Sequence, residues 1–284
     1  MKKTMGIALV LVLAIAYYGF GQTGAMPDGF VRINGGTFTM GSPANEPGRD
    51  SDEVQHQVTV SSFYMGKYEV TQKEYREVMG TNPSFLFKVD NLPVEGVSWY
   101  DAIEYCNKRS QKEGLTPAYT IDKSRKDPNN NSDEDDVKWD DVKWVVTWNR
   151  NANGYRLPME AEWEYACRAG TTTAYNTGAS ITNNTGWIKD NRIFSTQEVG
   201  RKPANAWGLY DMHGNVCEWC WEWYAAYPSG AQTNPVGASS GAERVYRGGS
   251  WFNMAQHVRS ATRISRRPTY GDSNLGFRVA RNVQ

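Results

Sequence analysis

Residues 216 to 223 read VCEWCWEW, and the alternation in this octet constrains the fold more than any other stretch of the chain. Cys217, Trp219, Trp221 and Trp223 fall on one side of a two-residue period, against Val216, Glu218, Cys220 and Glu222 on the other. That period is a strand's, so three indole rings project from one face and need a core that can take them. The chain has 11 tryptophans, each of which buries roughly 150 to 250 Å². Aromatic packing is what holds such a chain together, because 27 glycines and 12 prolines leave much of the backbone irregular.

Two further segments alternate. They are VQHQVTV (54–60) and NLGFRVAR (274–281), the second with Leu275, Phe277 and Val279 facing inward. Three short helices carry their own punctuation. Thr71 and Glu74 form a capping box ahead of Tyr75, Val78 and Met79, and Gly80 stops the turn. Ser98 caps a stripe of Trp99, Ala102, Ile103 and Cys106 that ends near Gly114. Pro158 suits a first helical position before Glu160, Trp163, Ala166 and Cys167, with Gly170 as the stop. The pattern is α+β, in one domain from residue 27 to residue 284.

Charge narrows the function. Basic and acidic residues number 31 each, so no overall field draws the protein to nucleic acid. Residues 244 to 281 carry eight arginines against one acid, Asp272, which reads as a solvated basic face rather than a nucleic-acid site. Residues 1 to 21 read as an export signal: two lysines, an apolar run from Met5 to Tyr18, then Gly19 and Gly21. The run is short for a bilayer span, so no span is expected in the mature chain. Residues 122 to 144 are charged and asparagine-rich and contain DDVKW twice in tandem, the mark of a lengthened surface loop.

The usual catalytic constellations are missing from the sequence. His56, His213 and His257 share no short spacing, so no histidine metal motif can be built. There is no G-x-S-x-G, and neither glycine pair is followed by a phosphate-binding lysine. Cys217 and Cys220 form C-x-x-C inside a strand pattern, where the two sulfurs point to opposite faces.

Six strings occur in order: FVRINGGTFTMGS, FYMGKYEVTQKEYREVM, PVEGVSWYDAIEYCNK, NGYRLPMEAEWEYACRAG, NAWGLYDMHGNVCEWC, and RVYRGGSW with LGFRVAR. Together they resemble the sulfatase-modifying factor family, the formylglycine-generating enzyme domain, over nearly the whole mature chain. The resemblance implies a C-type-lectin-like fold: a small twisted antiparallel sheet, two main helices and much ordered loop. The family's founding activity is copper-dependent oxidation of a sulfatase cysteine by two cysteines placed shortly after a Gly-Gly-Ser motif. Here that motif is Gly248, Gly249 and Ser250, and no cysteine follows Cys220. Copper(I) needs soft thiolate ligands, and Asn253 and Val258, which stand near the places of the pair, offer none. No cofactor is then required. Calcium is one reading of Asp211, Gly214, Val216 and Glu218, which match a calcium site of relatives built partly from backbone carbonyls. The other is that Glu218 pairs with a core arginine. Cys106 and Cys167 match positions crosslinked in some relatives, whose partner positions here are Val279 and a residue near Ser260. They are expected to be buried thiols unless they pair with each other.

Against the family, residues 244 to 281 divide into two interleaved sets. Arg247, Gly248, Gly249, Ser250, Trp251, Ala255, Arg259, Ser260, Ala261, Arg263, Pro268, Gly276, Phe277 and Arg278 fit the motif. Between them stand Phe252, Asn253, Met254, Gln256, His257, Val258, Thr262, Ile264, Ser265, Arg266, Arg267, Thr269, Tyr270, Asp272, Ser273 and Asn274. The interleaving resembles the variable proteins of diversity-generating retroelements, whose terminal cassettes are rewritten to give many ligand-binding surfaces. The expectation is an exported, noncatalytic protein, periplasmic or at the cell surface, that offers these sixteen side chains to a protein or other macromolecule. A formylglycine-generating-like oxidase is the alternative.

Overall fold

The computed structural model describes residues 26–132, 144–191 and 194–284. The export signal lies outside the described residues, and so does most of the tandem repeat. No described helix is long and apolar enough to cross a membrane.

The Cys217–Trp223 strand lies inside a four-stranded sheet, antiparallel to Arg244–Arg247 and parallel to Leu275–Gly276, with Ile264–Arg266 at the far edge. Both its faces are buried. Cys217 and Trp219 enter the larger core cluster, while Cys220 enters a second one. The indole N–H of Trp219 donates to the Val97 carbonyl at 3.0 Å, and that of Trp99 to the Cys220 carbonyl at 2.9 Å. The polar edges of these two large rings are thereby satisfied inside the core.

A second four-stranded sheet runs Phe30–Ile33, Phe63–Gly66, Ala280–Asn282, Tyr155–Arg156. NLGFRVAR is therefore not one strand. Leu275–Gly276 belongs to the first sheet and Ala280–Asn282 to the second, and Phe277 to Val279 carry the chain across. Leu275, Phe277 and Val279 do face the larger cluster, but the opposite face is buried too, with Arg278 at its centre.

Among the described residues three α-helices flank these sheets. Helix α1 (Gln72–Met79) begins with the expected capping box, Thr71 and Glu74, and ends on Gly80 at φ +80. Helix α2 (Trp99–Lys112) has a capping box of Ser98 and Asp101 and presents Trp99, Ala102, Ile103 and Cys106 to the core. Helix α3 (Glu160–Arg168) starts two residues later than Pro158 predicts, because Met159 is extended and serves as the cap. The VQHQVTV strand likewise begins only at His56, since Val54 and Gln55 are solvent-exposed. In the charged insertion, Tyr119–Lys126 pairs with Trp144–Trp148, so its described arms form a hairpin rather than a plain loop.

Candidate ligand-binding face

The Gly-Gly-Ser motif launches the C-terminal loop. Gly248 and Gly249 hold φ of +91 and +64, and a Cβ on Gly249 would lie 2.4 Å from Val258 Cγ1 and 2.7 Å from the His257 carbonyl. Only glycine allows the loop to fold back this closely. Ser250 and Asn253 then close a turn: the Ser250 N–H and hydroxyl donate to Asn253 Oδ1 at 2.9 and 2.7 Å, and the Lys189 N–H donates to the Asn253 carbonyl. Asn274 donates to Ser250 Oγ, and the Trp251 indole donates to the Ser273 carbonyl. These bonds tie the 250–257 turn to the 268–274 segment in one face.

Burial separates the two interleaved sets. The residues that fit the family motif are buried except for Ala255, which is half-buried. Phe252, Met254, Gln256 and Arg266 are exposed, Phe252 at 56%. Asn253, His257, Ile264, Ser265, Arg267, Thr269, Tyr270, Asp272, Ser273 and Asn274 are half-buried. Val258 and Thr262 are corrections to the expected set. Val258 is fully buried against Ala174, Tyr175 and Ile188, and Thr262, 3% exposed, gives its carbonyl to the Arg247 guanidinium. Neither can touch a ligand.

The basic excess of this segment is not a solvated face either. Arg244, Arg247, Arg259, Arg263 and Arg278 are buried, and the last four pair with glutamates from earlier in the chain. Arg259 meets Glu46 and Glu53 at 2.6 Å each. Burial pushes the Glu53 carboxyl up, but the Arg259 guanidinium outweighs it and holds the group below its ordinary range. Arg244 lies 3.9 Å from the Trp99 ring centroid and 3.5 Å from that of Trp223. The arginines thus pin the loop's underside to the core, a role that the sequence signals only through the eightfold repetition of the residue type.

The cysteines are inert. All four are free and buried, and burial pushes every thiol up, Cys167 to about 12. Cys167 Sγ lies 3.7 Å from His213 Nε2, a pairing with no sequence signature. The imidazole is fully engaged: Nδ1 bonds the Val258 carbonyl at 2.7 Å, and Nε2 accepts from the Asn176 N–H at 3.0 Å. Burial holds His213 down to about 4, so it stays neutral. The pair is a tie between α3 and the loop, with no thiolate to react.

Below the loop, Gly214 donates to the Gly248 carbonyl and the Val216 N–H donates to Glu69. Glu218 is bound by Arg278 at 2.6 Å on both arms and by the Trp163 indole at 2.7 Å, which is the core-arginine reading of that residue. Asp211 Oδ2 accepts from Gly200, and its Oδ1 is buried without a partner. Among the described residues no three His, Cys, Asp or Glu side chains gather as a metal site. The carboxylate pair expected for calcium does not fit one as it stands, because Glu218 is already satisfied by a guanidinium.

The face continues onto residues that carry no periodic signal. Phe85, Leu86 and Phe87 are exposed, and a Cβ on Gly96 would touch the Phe85 ring at 2.8 Å, while the Gly96 N–H bonds the Asp272 carbonyl. On the other side Lys189 Nζ sits 5.4 Å from the Phe252 ring centroid.

The sulfatase-modifying factor enzyme 1-like domain matches residues 20–283. The chain belongs to this family. Among family relatives it is 42% identical over 246 residues to "Chaperone protein LppX" of Paenibacillus barcinonensis, covering 80% of this chain and 79% of that protein. It is 30% identical over 291 residues to the formylglycine-generating enzyme of Bos taurus, covering 89% and 75%. Among solved structures, Treponema denticola variable protein 1 superposes with a TM-score of 0.77 at 34% identity, covering 89% of this chain and 94% of that one. PvdO from Pseudomonas aeruginosa shares the fold with a TM-score of 0.68 at 24% identity. The α+β, C-type-lectin-like fold of the family's variable proteins is therefore the fold of this chain.

Proposed function

We propose that this protein is an exported, noncatalytic binding protein that recognises a macromolecule through the side chains displayed between residues 252 and 274. One observation carries the reading: buried family residues alternate with outward-facing residues of unrelated chemistry along a single hydrogen-bonded loop. A floor pinned in this way meets the ordering cost in advance, so side chains can be exchanged above it without refolding. Phe252, Met254 and Tyr270 supply apolar area, and Arg266 supplies charge-assisted hydrogen bonds. The likeness to a protein named a variable protein and to one named a chaperone agrees with binding.

The likeness to a formylglycine-generating enzyme favours an oxidase as the second reading. Against it stand the last cysteine at Cys220 and, near the family's thiol positions, a core valine and an asparagine used in a turn. Oxygen consumption by the copper-loaded protein with a cysteine peptide separates the two readings. None above background is expected, and turnover would overturn the binding assignment. In the neighbouring DNA, a second, nonidentical copy of the codons for 244–281 beside a reverse transcriptase is the expected genetic signature of the variable class.

A further inference from the structure

A separate cavity of about 480 Å³ opens between the His56–Val60 strand, the start of α3 and the segment from Ala225 to Ala238. It shares only Arg263 with the C-terminal segment. Its size falls in the range of small-molecule sites, roughly 300 to 1,000 Å³. Met40, Ala161, Pro235 and Val236 give it an apolar wall. Glu222, 3% exposed, lines its floor.

Glu222 is the unfinished group. Its Oε2 accepts from the Glu160 N–H at 2.8 Å and so caps α3, and the carboxylate takes a further bond from its own backbone N–H, with no side-chain donor bound to it among the described residues. Most neighbouring charges are already matched: Glu160 by Arg263 and the Tyr227 hydroxyl, Glu162 by Arg156, Arg247 by Glu164. Arg244, which also feels the Glu222 charge, donates to the Trp221 carbonyl and stacks on Trp99 and Trp223 instead of forming an ion pair with it. His56 packs against the Tyr227 ring at 4.6 Å and bonds the Val54 carbonyl. No described cation pairs with Glu222. Burial first, then Glu160 and Glu162, push its carboxyl up to about 8, so at neutral pH it is mostly an uncharged acid.

We propose that this cavity binds a small organic ammonium ion, with the cationic head on Glu222 Oε1 and an alkyl body against Met40, Ala161 and Val236. The arriving cation supplies the counter-charge that Glu222 lacks. The acid then ionises and releases its proton to solvent, leaving an ammonium–carboxylate pair in the cavity.

The test is titration calorimetry of the full chain at pH 7 with n-butylammonium chloride, in two buffers of different ionisation enthalpy, and with butan-1-ol as the neutral isostere. Saturable binding of butylammonium with release of about one proton is expected. Affinity should fall at least tenfold in Glu222→Gln, which keeps the acceptor for the Glu160 N–H, and in Val236→Trp, which fills the partly exposed wall. Butanol should bind no better to the wild type than to either variant. Absence of saturable binding, equal affinity for butanol, or affinity unchanged in both variants overturns the proposal.

Discussion

The Arg278 guanidinium meets the Glu218 carboxylate through two hydrogen bonds of 2.6 Å, and neither side chain is exposed. Arg278 also donates to the Gly66, Lys67 and Tyr210 carbonyls, so one residue joins the two four-stranded sheets where the last segment crosses between them. Removing either partner leaves a buried charge without compensation. Glu218→Gln or Arg278→Met should each cost about 3 to 5 kcal/mol in urea unfolding. Glu77→Gln, which breaks only the exposed pair with Lys73, should cost under about 1 kcal/mol. Similar losses at both sites would show that burial is not what gives the pair its weight.

The loop should separate into two stability classes. Phe252→Ala and Met254→Ala remove exposed side chains and should stay within about 1 kcal/mol of the parent. Val258→Ala opens a void against Tyr175 and Ile188 and should cost about 2 kcal/mol. Thermal unfolding of the three variants decides it, and a large loss at Phe252 would place that ring in the core.

Gly249→Ala tests the turn itself. Its φ of +64 disfavours a Cβ, and the 2.4 Å approach to Val258 cannot be relieved without moving the loop. A loss above about 2 kcal/mol in urea unfolding is expected, whereas Gly→Ala at an unstrained position gains roughly 0.4 to 1 kcal/mol.

His213 makes the fold sensitive to acid. Burial lowers its pKa to about 4, whereas an unfolded histidine binds a proton near pH ~6.5. Between these values the unfolded chain holds more protons, so stability falls as pH drops from about 6.5 to 4, by up to about 3 kcal/mol. His213→Gln should flatten that slope in urea melts taken at pH 7 and 4.5.

Asp211 acts in the opposite direction. Burial pushes its carboxyl up to about 6, against about 4 in an unfolded chain. The folded state keeps its proton longer, so stability declines as pH rises through that window and stays reduced above it. Asp211→Asn, which retains an acceptor for Gly200, should gain up to about 3 kcal/mol above pH 6 and nothing below pH 4. A calcium-dependent rise in stability that this variant abolishes would instead mark Asp211 as a cation ligand.

Local patterning determined the short-range features of this protein. The capping boxes at Thr71 and Ser98, the alternation from Cys217 to Trp223 and the glycine turn at 248–249 are all written in a few adjacent residues, because each rests on neighbour sterics or on one period of a regular element. The six ordered motifs marked the family in the same direct way. Tertiary structure alone decided what the long-range partners did. Val258 and Thr262 look like their displayed neighbours and are core. Five arginines that look like a basic surface are buried, and the four that form ion pairs meet glutamates as far as 213 residues away. Glu222, one of two equivalent acids in VCEWCWEW, faces a cavity while Glu218 holds an arginine. Burial and charge pairing are sums over everything that arrives around a side chain, and no window of sequence contains those arrivals.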